Sequence, residues 1–146
     1  MRMSSNDSDR TDTGYASAFS TLHREMTVLH GIVARRFDLT VQQVQLLCML
    51  SRHQPSLGEL AELLGCDKTN VTGMVDRLDR RELLVRAPDP TDRRVARVVL
   101  TPKGVAMRTR IRAALDAELA ARLPRQDRAR LVELASSVSQ RLAEGR

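Results

Sequence analysis

The segment from Asp67 to Gly104 constrains the fold of this chain more than any other stretch of it. Apolar residues at its start have the spacing of an amphipathic helix, and two short runs rich in leucine and valine follow. A loop of Pro, Asp and Arg separates those runs, and Thr101-Pro102 then signals a new helix. This order predicts a short helix beside an arginine-tipped hairpin. Such a pair can place the helix in the major groove of duplex DNA and the hairpin tip in the adjacent minor groove.

The helix and the hairpin can be bounded from the residues alone. Asp67 suits the N-cap of the helix, and one face of the helix is predicted to be buried through Val71, Met74, Val75 and Leu78. The opposite face is polar, partly small and partly basic, and is therefore available to a partner. Strands are predicted at Leu83–Ala87 and Val95–Leu100, with turn-forming prolines and aspartates between them.

Two shorter helices are predicted before this segment. The capping-box pattern T-x-x-Q at Thr40 opens a helix from Val41 to Arg52, and S-x-x-E at Ser56 opens a shorter one. Gly65 stands where the left-handed residue after a helix belongs. Because so few residues separate Gly65 from the helix that Asp67 opens, the pair predicts a helix-turn-helix.

Longer helices are predicted at both ends of the chain. Apolar residues from Tyr15 to Val33 alternate in steps of four and three, which predicts a helix that ends near Phe37 and packs along another helix. A second copy of the chain is a candidate for that neighbour. After the hairpin we expect a helix from Pro102 to Arg122 and a last helix with an apolar stripe from Leu131 to Leu142.

Composition narrows the class of partner and the compartment. The 146 residues carry a formal net charge of +6, which favours nucleic acid or an anionic membrane. Aromatic residues make up only 2%, which argues against single-stranded nucleic acid because stacking needs aromatic side chains. Residues 1–14 are polar, so we expect a disordered tail. They lack the apolar core of a signal peptide, so we do not expect a secretory signal. Two cysteines, Cys48 and Cys66, are too few for a disulfide scaffold and indicate the cytoplasm.

The motifs of this chain, taken in order, resemble those of the MarR family of bacterial winged helix-turn-helix regulators. The resemblance rests on L-T-x-x-Q, L-A-x-x-L-G-C-D-K-T-N-V-T, the hairpin sequence D-R-R and L-T-P-K-G, which together span Leu39 to Gly104. It implies a mainly α fold with a small β-wing, in a single MarR-like domain over residues 15–146. The winged helix-turn-helix would occupy about 40–101, and dimerisation helices about 15–37 and 102–144.

The resemblance also implies a function. Members are homodimers that bind palindromic duplex DNA, usually repress transcription, and in many cases release DNA when a small molecule or an oxidant acts on them. We therefore expect a sequence-specific repressor on the bacterial nucleoid. We call the helix that Asp67 caps the reading helix. The residues expected to bind DNA lie on this helix and on the hairpin tip, and they are Lys68, Thr69, Asn70, Thr72, Gly73, Arg77, Arg93 and Arg94.

The expected roles differ among these residues. Asn70 can pair with adenine, whereas Arg77 and Arg93 suit phosphates, although Arg77 can also reach a guanine. The resemblance places Arg94 in the minor groove, where a narrow A·T-rich groove attracts it and Asp92 orients it. Each arginine has an alternative that involves no DNA. Arg77 would then belong to a solvated helix face, and Arg94 would pair only with Asp92 within the loop. Gly73 either permits close approach of DNA or is a tolerated helical glycine.

Glu82 departs from the family pattern, which commonly has glycine after the reading helix. If a left-handed backbone is required there, a glutamate costs about 1 kcal/mol relative to glycine. We therefore expect the turn to differ slightly, which leaves the position of the wing open.

An effector pocket is implied between the dimerisation helices and the DNA-binding lobe. Its candidate lining residues are Phe19, His23, Met26, His30, Phe37 and Met107. His23 and His30 share one helix edge and could bind a metal or an anionic effector, although surface or interface histidines are the commoner case.

Enzymatic chemistry is not expected, because we find no Gly-rich phosphate loop, no metal-ligand cluster and no nucleophile–base pair in the sequence. We likewise expect no cofactor and no metal. One alternative is an architectural DNA-binding protein with weak sequence preference. Another is a redox-responsive regulator that uses Cys66, at the start of the reading helix, although packing is the commoner role of such a residue. Cys48 is predicted to be a small buried hydrophobe.

Overall fold

The computed structural model describes residues 14–50 and 54–145, which form helices around a two-stranded sheet. The elements in chain order are α1 (Tyr15–Arg36), α2 (Val41–Met49), α3 (Leu57–Leu64), α4 (Lys68–Arg80), β1 (Leu84–Pro88), β2 (Ala96–Leu100), α5 (Pro102–Arg122) and α6 (Arg128–Glu144), with a 3-10 turn at Arg125–Asp127. The predicted mainly helical fold with a small β-wing is confirmed. The predicted disordered tail falls on residues outside the described part, apart from Gly14.

One apolar core joins the helix-turn-helix, the sheet and the long helices. Its fully buried members are the periodic apolar positions, namely Val33, Val44, Leu46, Leu47, Leu60, Val71, Val75, Leu78, Leu84, Val98 and Ile111. The face of α4 predicted to be buried is buried throughout. Because α1, α2 and α5 share this core with α4, burial of apolar area fixes the position of α4.

Capping residues define the helix starts, as the sequence predicts. Thr40, Ser56, Asp67 and Thr101 each accept a hydrogen bond from the backbone N–H three residues further on, at 2.8 to 3.2 Å. In α2 and α3 the bond is reciprocated, which completes both predicted capping boxes. The local sequence alone therefore determines where these helices begin.

The predicted end of α2 at Arg52 is wrong, because the helix ends at Met49 and Leu50 has an extended backbone with ψ 97°. Two arginines of α5 hold the last carbonyls of α2. Arg108 donates to the carbonyl of Leu50, and Nη2 of Arg112 donates to that of Cys48 at 3.0 Å. These distant donors satisfy groups that another helical turn would have used. Arg52 itself lies outside the described residues.

The hairpin forms one residue later than predicted at the start of each strand. The strands are antiparallel, with Leu84 opposite Leu100 and Pro88 opposite Ala96. On its other edge β2 meets the segment before α3, where the N–H of Val98 donates to the carbonyl of Pro55 at 2.9 Å. The wing is therefore joined to the helix-turn-helix by a backbone hydrogen bond.

The turn after α4 keeps the left-handed conformation despite its glutamate. Glu82 has a φ of +59°. The N–H of Leu83 donates to the carbonyl of Leu78 at 3.0 Å, and that of Glu82 donates to Asp79 at 2.7 Å, which is the Schellman pattern. The expected change in this turn is therefore not observed. Glu82 instead adopts the left-handed backbone conformation, which is strained for a residue with a Cβ atom.

Glu82→Gly is expected to raise the free energy of unfolding by about 1 kcal/mol, because glycine adopts positive φ without a steric penalty. The contact of Glu82 with Lys103, at 3.2 Å, is highly exposed and contributes little. Urea denaturation followed by circular dichroism measures the change. The matched control is Glu82→Ala, which removes the ion pair and keeps the Cβ atom. Equal stability of the two variants would contradict the prediction.

Large apolar side chains remain exposed on α1 and α6. The exposed positions include Tyr15, Phe19 and Leu22 of the predicted α1 seam and Leu131, Leu134 and Leu142 of the predicted α6 stripe. The seam residues Leu29 and Val33 are instead buried within the chain itself. Within the described residues α6 buries none of its side chains. None of the described helices has both the length and the apolar character that crossing a bilayer requires.

Candidate nucleic-acid interface

The outward face of α4 is polar and accessible. A shallow groove of about 470 Å³ runs along it, lined by Lys68, Thr69, Thr72, Gly73 and Asp76. Arg77 is exposed further along the helix. The groove lies near the start of the helix, where unpaired N–H groups add positive partial charge. Short donor side chains and positive charge are thus combined on one exposed helix face.

Asn70 is engaged within its own helix. Its Nδ2 donates to Oδ2 of Asp67 at 3.0 Å, while its backbone N–H donates to Oδ1 of the same carboxylate at 2.8 Å. The structure thus shows Asp67 as the expected cap. Asn70 would have to exchange its side-chain bond to Asp67 for a bond to a base, so its adenine pairing stays a prediction.

Among residues 14–50 and 54–145, Gly73 has no neighbour that requires glycine, since a Cβ atom added there would meet none of their atoms within 4 Å. A glycine inside a helix is about 1 kcal/mol less favourable than alanine. Gly73 therefore weakens α4 with no benefit to packing within the described residues. This observation favours an intermolecular reason, namely the close approach of a ligand to the helix backbone.

Gly73→Ala is expected to change stability and DNA affinity in opposite directions. The free energy of unfolding should rise by about 1 kcal/mol, whereas operator affinity should fall about tenfold because the methyl group keeps the helix from the groove. Thermal unfolding and fluorescence anisotropy measure the two effects. The control is Gly31→Ala on α1, where the added Cβ would lie 3.7 Å from Val41 Cγ2 in ordinary contact. Unchanged affinity in Gly73→Ala would make Gly73 a tolerated glycine.

The tip of the wing projects two arginines. The Arg94 side chain is 90% exposed, and its Nε donates to Oδ1 of Asp92 at 3.2 Å. The same oxygen accepts from the backbone N–H of Arg94 at 3.1 Å. Arg93 is exposed and has no ion pair among the described residues. The structure therefore brings Asp92 against Arg94 and leaves the Nη groups of Arg94 open to an acceptor.

Arg86, at the base of the wing, has a structural role that the sequence did not reveal. Its Nη2 donates to Oδ1 of Asp76 at 2.6 Å, and its Nη1 lies 4.0 Å from Oδ2 of Asp79. Both acids belong to α4. The ion pairs therefore attach β1 to the reading helix, and this arginine is not available to DNA without losing them.

Asp89 organises the wing loop and was missed as a candidate residue. Its Oδ1 accepts hydrogen bonds from the Thr91 hydroxyl at 2.6 Å, the Thr91 N–H at 2.7 Å and the Asp92 N–H at 3.1 Å. The Thr91 donors, followed by Arg97, hold the pKa of this carboxyl far below its usual range. An Asp followed by Pro-Thr is a known turn pattern, which could have identified the residue.

The six candidate effector residues do not share one environment. Phe37 and Met107 pack against the core, and the Arg110 guanidinium lies 5.2 Å from the centre of the Phe37 ring. His30 is half-buried, with Nδ1 2.6 Å from the carbonyl of Met26 in its own helix. Of the remaining three, Met26 is half-buried, His23 is exposed, and Phe19 lines a separate cleft against α6.

Both cysteines are free and half-buried against the core. Burial raises the pKa of the Cys48 thiol, and the nearby Arg112 and Arg108 oppose that shift only in part. Cys48 is therefore poorly suited to react as a thiolate. Within the described residues, no group of three or more His, Cys, Asp or Glu side chains could hold a metal ion.

Comparison with known proteins identifies the family of the chain. The model of the MarR family matches residues 39–96. The HTH-type transcriptional repressor NicR of Pseudomonas putida is 43% identical over 71 residues, which make up 48% of this chain and 45% of that protein. The uncharacterized HTH-type transcriptional regulator YhbI of Bacillus subtilis is 33% identical over 104 residues, or 67% of this chain and 66% of that protein. The chain thus spans about half of NicR and about two thirds of YhbI.

A solved structure extends the likeness beyond the matched segment. Wild-type MarR from E. coli, in its apo form, superposes with a TM-score of 0.71 at 25% identity, over 86% of this chain and 96% of that chain. The likeness therefore includes the long helices that flank the wing and the helix-turn-helix. On these grounds the chain belongs to the MarR family of winged helix-turn-helix transcriptional regulators.

Proposed function

We propose that this chain represses transcription as a homodimer that binds a palindromic operator in double-stranded DNA. One observation carries the proposal: a polar-faced helix, α4, is attached by the Arg86–Asp76 contact of 2.6 Å to a hairpin with two exposed arginines at its tip. The helix and the hairpin therefore approach DNA as one unit. Adjacent major and minor grooves are the surfaces that such a unit fits.

Each exposed side chain has a proposed contact. Lys68, Arg77 and Arg93 bind phosphates, which gives affinity and salt dependence. Base edges in the major groove are read by the short side chains Thr69, Asn70 and Thr72. At the wing, Arg94 enters the minor groove and Asp92 orients it.

Homodimerisation is proposed from the uncovered apolar faces of α1 and α6. Tyr15, Phe19 and Leu142 border a cleft of about 620 Å³ between these helices. Exposed apolar area of this kind marks interaction surfaces in proteins that are not membrane-embedded. A second copy of the chain would cover it and set the two reading helices about 34 Å apart, which is one turn of DNA.

Repression with release by a small-molecule effector completes the proposal. NicR, a matched relative, is a transcriptional repressor. An effector releases DNA if it binds the DNA-incompetent spacing of the two lobes more tightly than the competent one. We propose that it binds between the dimerisation helices and the DNA-binding lobe of a cytoplasmic, nucleoid-bound dimer. Of the six residues predicted to line it, Phe37 and Met107 pack against the core and Met26 and His30 are half-buried, so these four are the proposed lining.

Selection from random duplex DNA with the full chain tests the proposal. A motif with two-fold symmetry, bound by two chains per duplex in sedimentation, is expected at both low and high salt. An architectural protein would also lose affinity with salt, because it binds phosphates, but it would return no motif at either salt concentration. The matched control is the double variant Thr69→Ala/Thr72→Ala, which should fold and bind with a relaxed motif.

The redox alternative requires a separate measurement. If Cys66 is only a packing residue, Cys66→Ser should bind the selected operator with unchanged affinity before and after peroxide treatment, as the wild type does. A wild-type response to peroxide that disappears in Cys66→Ser would instead establish the redox regulator.

A further inference from the structure

The wing loop is fixed at a point remote from its tip. Asp89 begins the loop, yet its side chain is only 8% exposed. Its Oδ1 accepts the three hydrogen bonds that turn the loop, while Oδ2 accepts from Nε of Arg97 at 2.5 Å. One carboxylate therefore both shapes the loop and connects it to β2.

Arg97 extends this connection to the helix-turn-helix. Its Nη1 donates to Oε2 of Glu59 at 2.8 Å and lies 3.4 Å from the carbonyl of Gln54. Glu59 Oε2 in turn accepts from the N–H of Ser56, which caps α3. Because two carboxylates already surround Arg97, its positive charge is neutralised locally and its planar guanidinium is held in one orientation.

The same chain of contacts continues towards the tip. The N–H of Asp92 is held by Asp89, and the carboxylate of Asp92 holds both the N–H and the Nε of Arg94. The direction of Arg94 therefore depends on groups that lie away from the tip. A wing without this connection would keep its strands, which are paired independently, but its tip would be less constrained.

We propose that Glu59, Arg97 and Asp89 form a positioning relay that aims Arg94 into the minor groove without touching DNA themselves. This inference rests on the proposed function, since it assigns a role in the reading of that same operator. The alternative for Arg97 is a direct phosphate contact, which its existing ion pairs with two carboxylates disfavour. The alternative for Asp89 is a purely local turn.

Two variants separate geometry from charge. In Asp89→Asn the single amide oxygen can accept hydrogen bonds either from Arg97 or from the donors of the turn. The amide NH2 group then faces the other set of donors and cannot accept from them. It also removes a negative charge, which by itself would strengthen DNA binding. Arg97→Lys keeps the positive charge but loses the planar fork. Loss of affinity in both variants would therefore follow from misplaced geometry, because charge alone predicts a gain in the first and no change in the second.

The experiment measures the affinity of each protein for the selected operator. It also measures affinity for operators in which the base pairs at the minor-groove site of the wing are changed. Replacing A·T by G·C there adds a minor-groove amino group, whereas I·C does not. Wild type is expected to discriminate against G·C and to accept I·C. Both variants should lose about tenfold in affinity and most of this discrimination, with major-groove preferences intact. Asp116→Asn on α5 is the control with the same charge change.

A double-mutant cycle gives the decisive reading. If Asp89 acts through Arg94, Asp89→Asn should lower affinity less than about twofold in an Arg94→Ala background, although it lowers it about tenfold in wild type. Equal losses in both backgrounds would overturn the relay. Should Asp89→Asn fail to fold, Arg97→Lys in the same cycle decides the matter. If the wild type selects no motif, the proposed function is overturned. If the wild type selects a motif but the effects of Asp89→Asn and Arg94→Ala on affinity simply add, only the relay is overturned.

Discussion

Gly104→Ala is expected to lower the free energy of unfolding by about 3 kcal/mol, the upper part of the range for overpacked cores. A Cβ atom at this position would lie 1.7 Å from the carbonyl oxygen of Leu83 and 2.8 Å from its carbon. Both are backbone atoms, so no side-chain rotation can relieve the clash. That carbonyl also accepts from the N–H of Thr101 at 3.2 Å, so displacing it breaks a hydrogen bond.

The site of the clash connects stability to DNA reading. Leu83 follows the left-handed Glu82 and precedes β1, so moving it shifts the wing relative to α4. Chemical denaturation measures the loss, and operator affinity of the remaining folded protein should fall as well. The matched control is Gly58→Ala, whose Cβ would lie 3.8 Å from the Ser56 hydroxyl and should leave stability within about 1 kcal/mol. A Gly104 variant as stable as that control would contradict the close packing.

The features that sequence predicts well are those with local causes. Helix starts follow from a side chain and an N–H three residues apart, and the buried face of α4 follows from its periodicity. The exposed parts of the candidate interface were predictable for the same reason. Lys68, Arg77 and Arg94 lie outside the apolar pattern, and the structure leaves all three exposed.

The features that sequence could not supply depend on residues far apart in the chain. Arg108 ends α2 from a position 58 residues away, and no pattern near Leu50 signals it. Arg81 donates to the carbonyl of Phe37, the residue that caps α1, at 3.1 Å across 44 residues, and to that of Asp38 at 2.6 Å. Arg97 lies in the arginine-rich hairpin segment of the sequence, yet in the structure it pairs with Asp89 and Glu59. The local pair of Asp92 with Arg94 could be predicted from the sequence, but ion pairs between residues far apart in the chain could not.

Arg94→Ala is expected to weaken operator binding by about 5- to 150-fold, which corresponds to the loss of about 1–3 kcal/mol in one specific base contact. Stability should change by less than about 0.5 kcal/mol, because the side chain is 90% exposed and its pair with Asp92 is a surface contact. The dimer should also remain intact, since the wing tip is remote from the apolar faces of α1 and α6. Anisotropy titration and sedimentation measure affinity and assembly in the same sample.

The contrast with neighbouring variants decides what Arg94 does. Arg93→Ala, which removes a proposed phosphate contact, should weaken binding to all sequences similarly and lower the salt slope by about one. Arg94→Lys keeps the charge but not the planar guanidinium, so it should recover only part of the affinity that Arg94→Ala loses. Full recovery with lysine would reduce Arg94 to a nonspecific positive charge. Unchanged affinity in Arg94→Ala would mean that the arginine only satisfies Asp92 within its own loop.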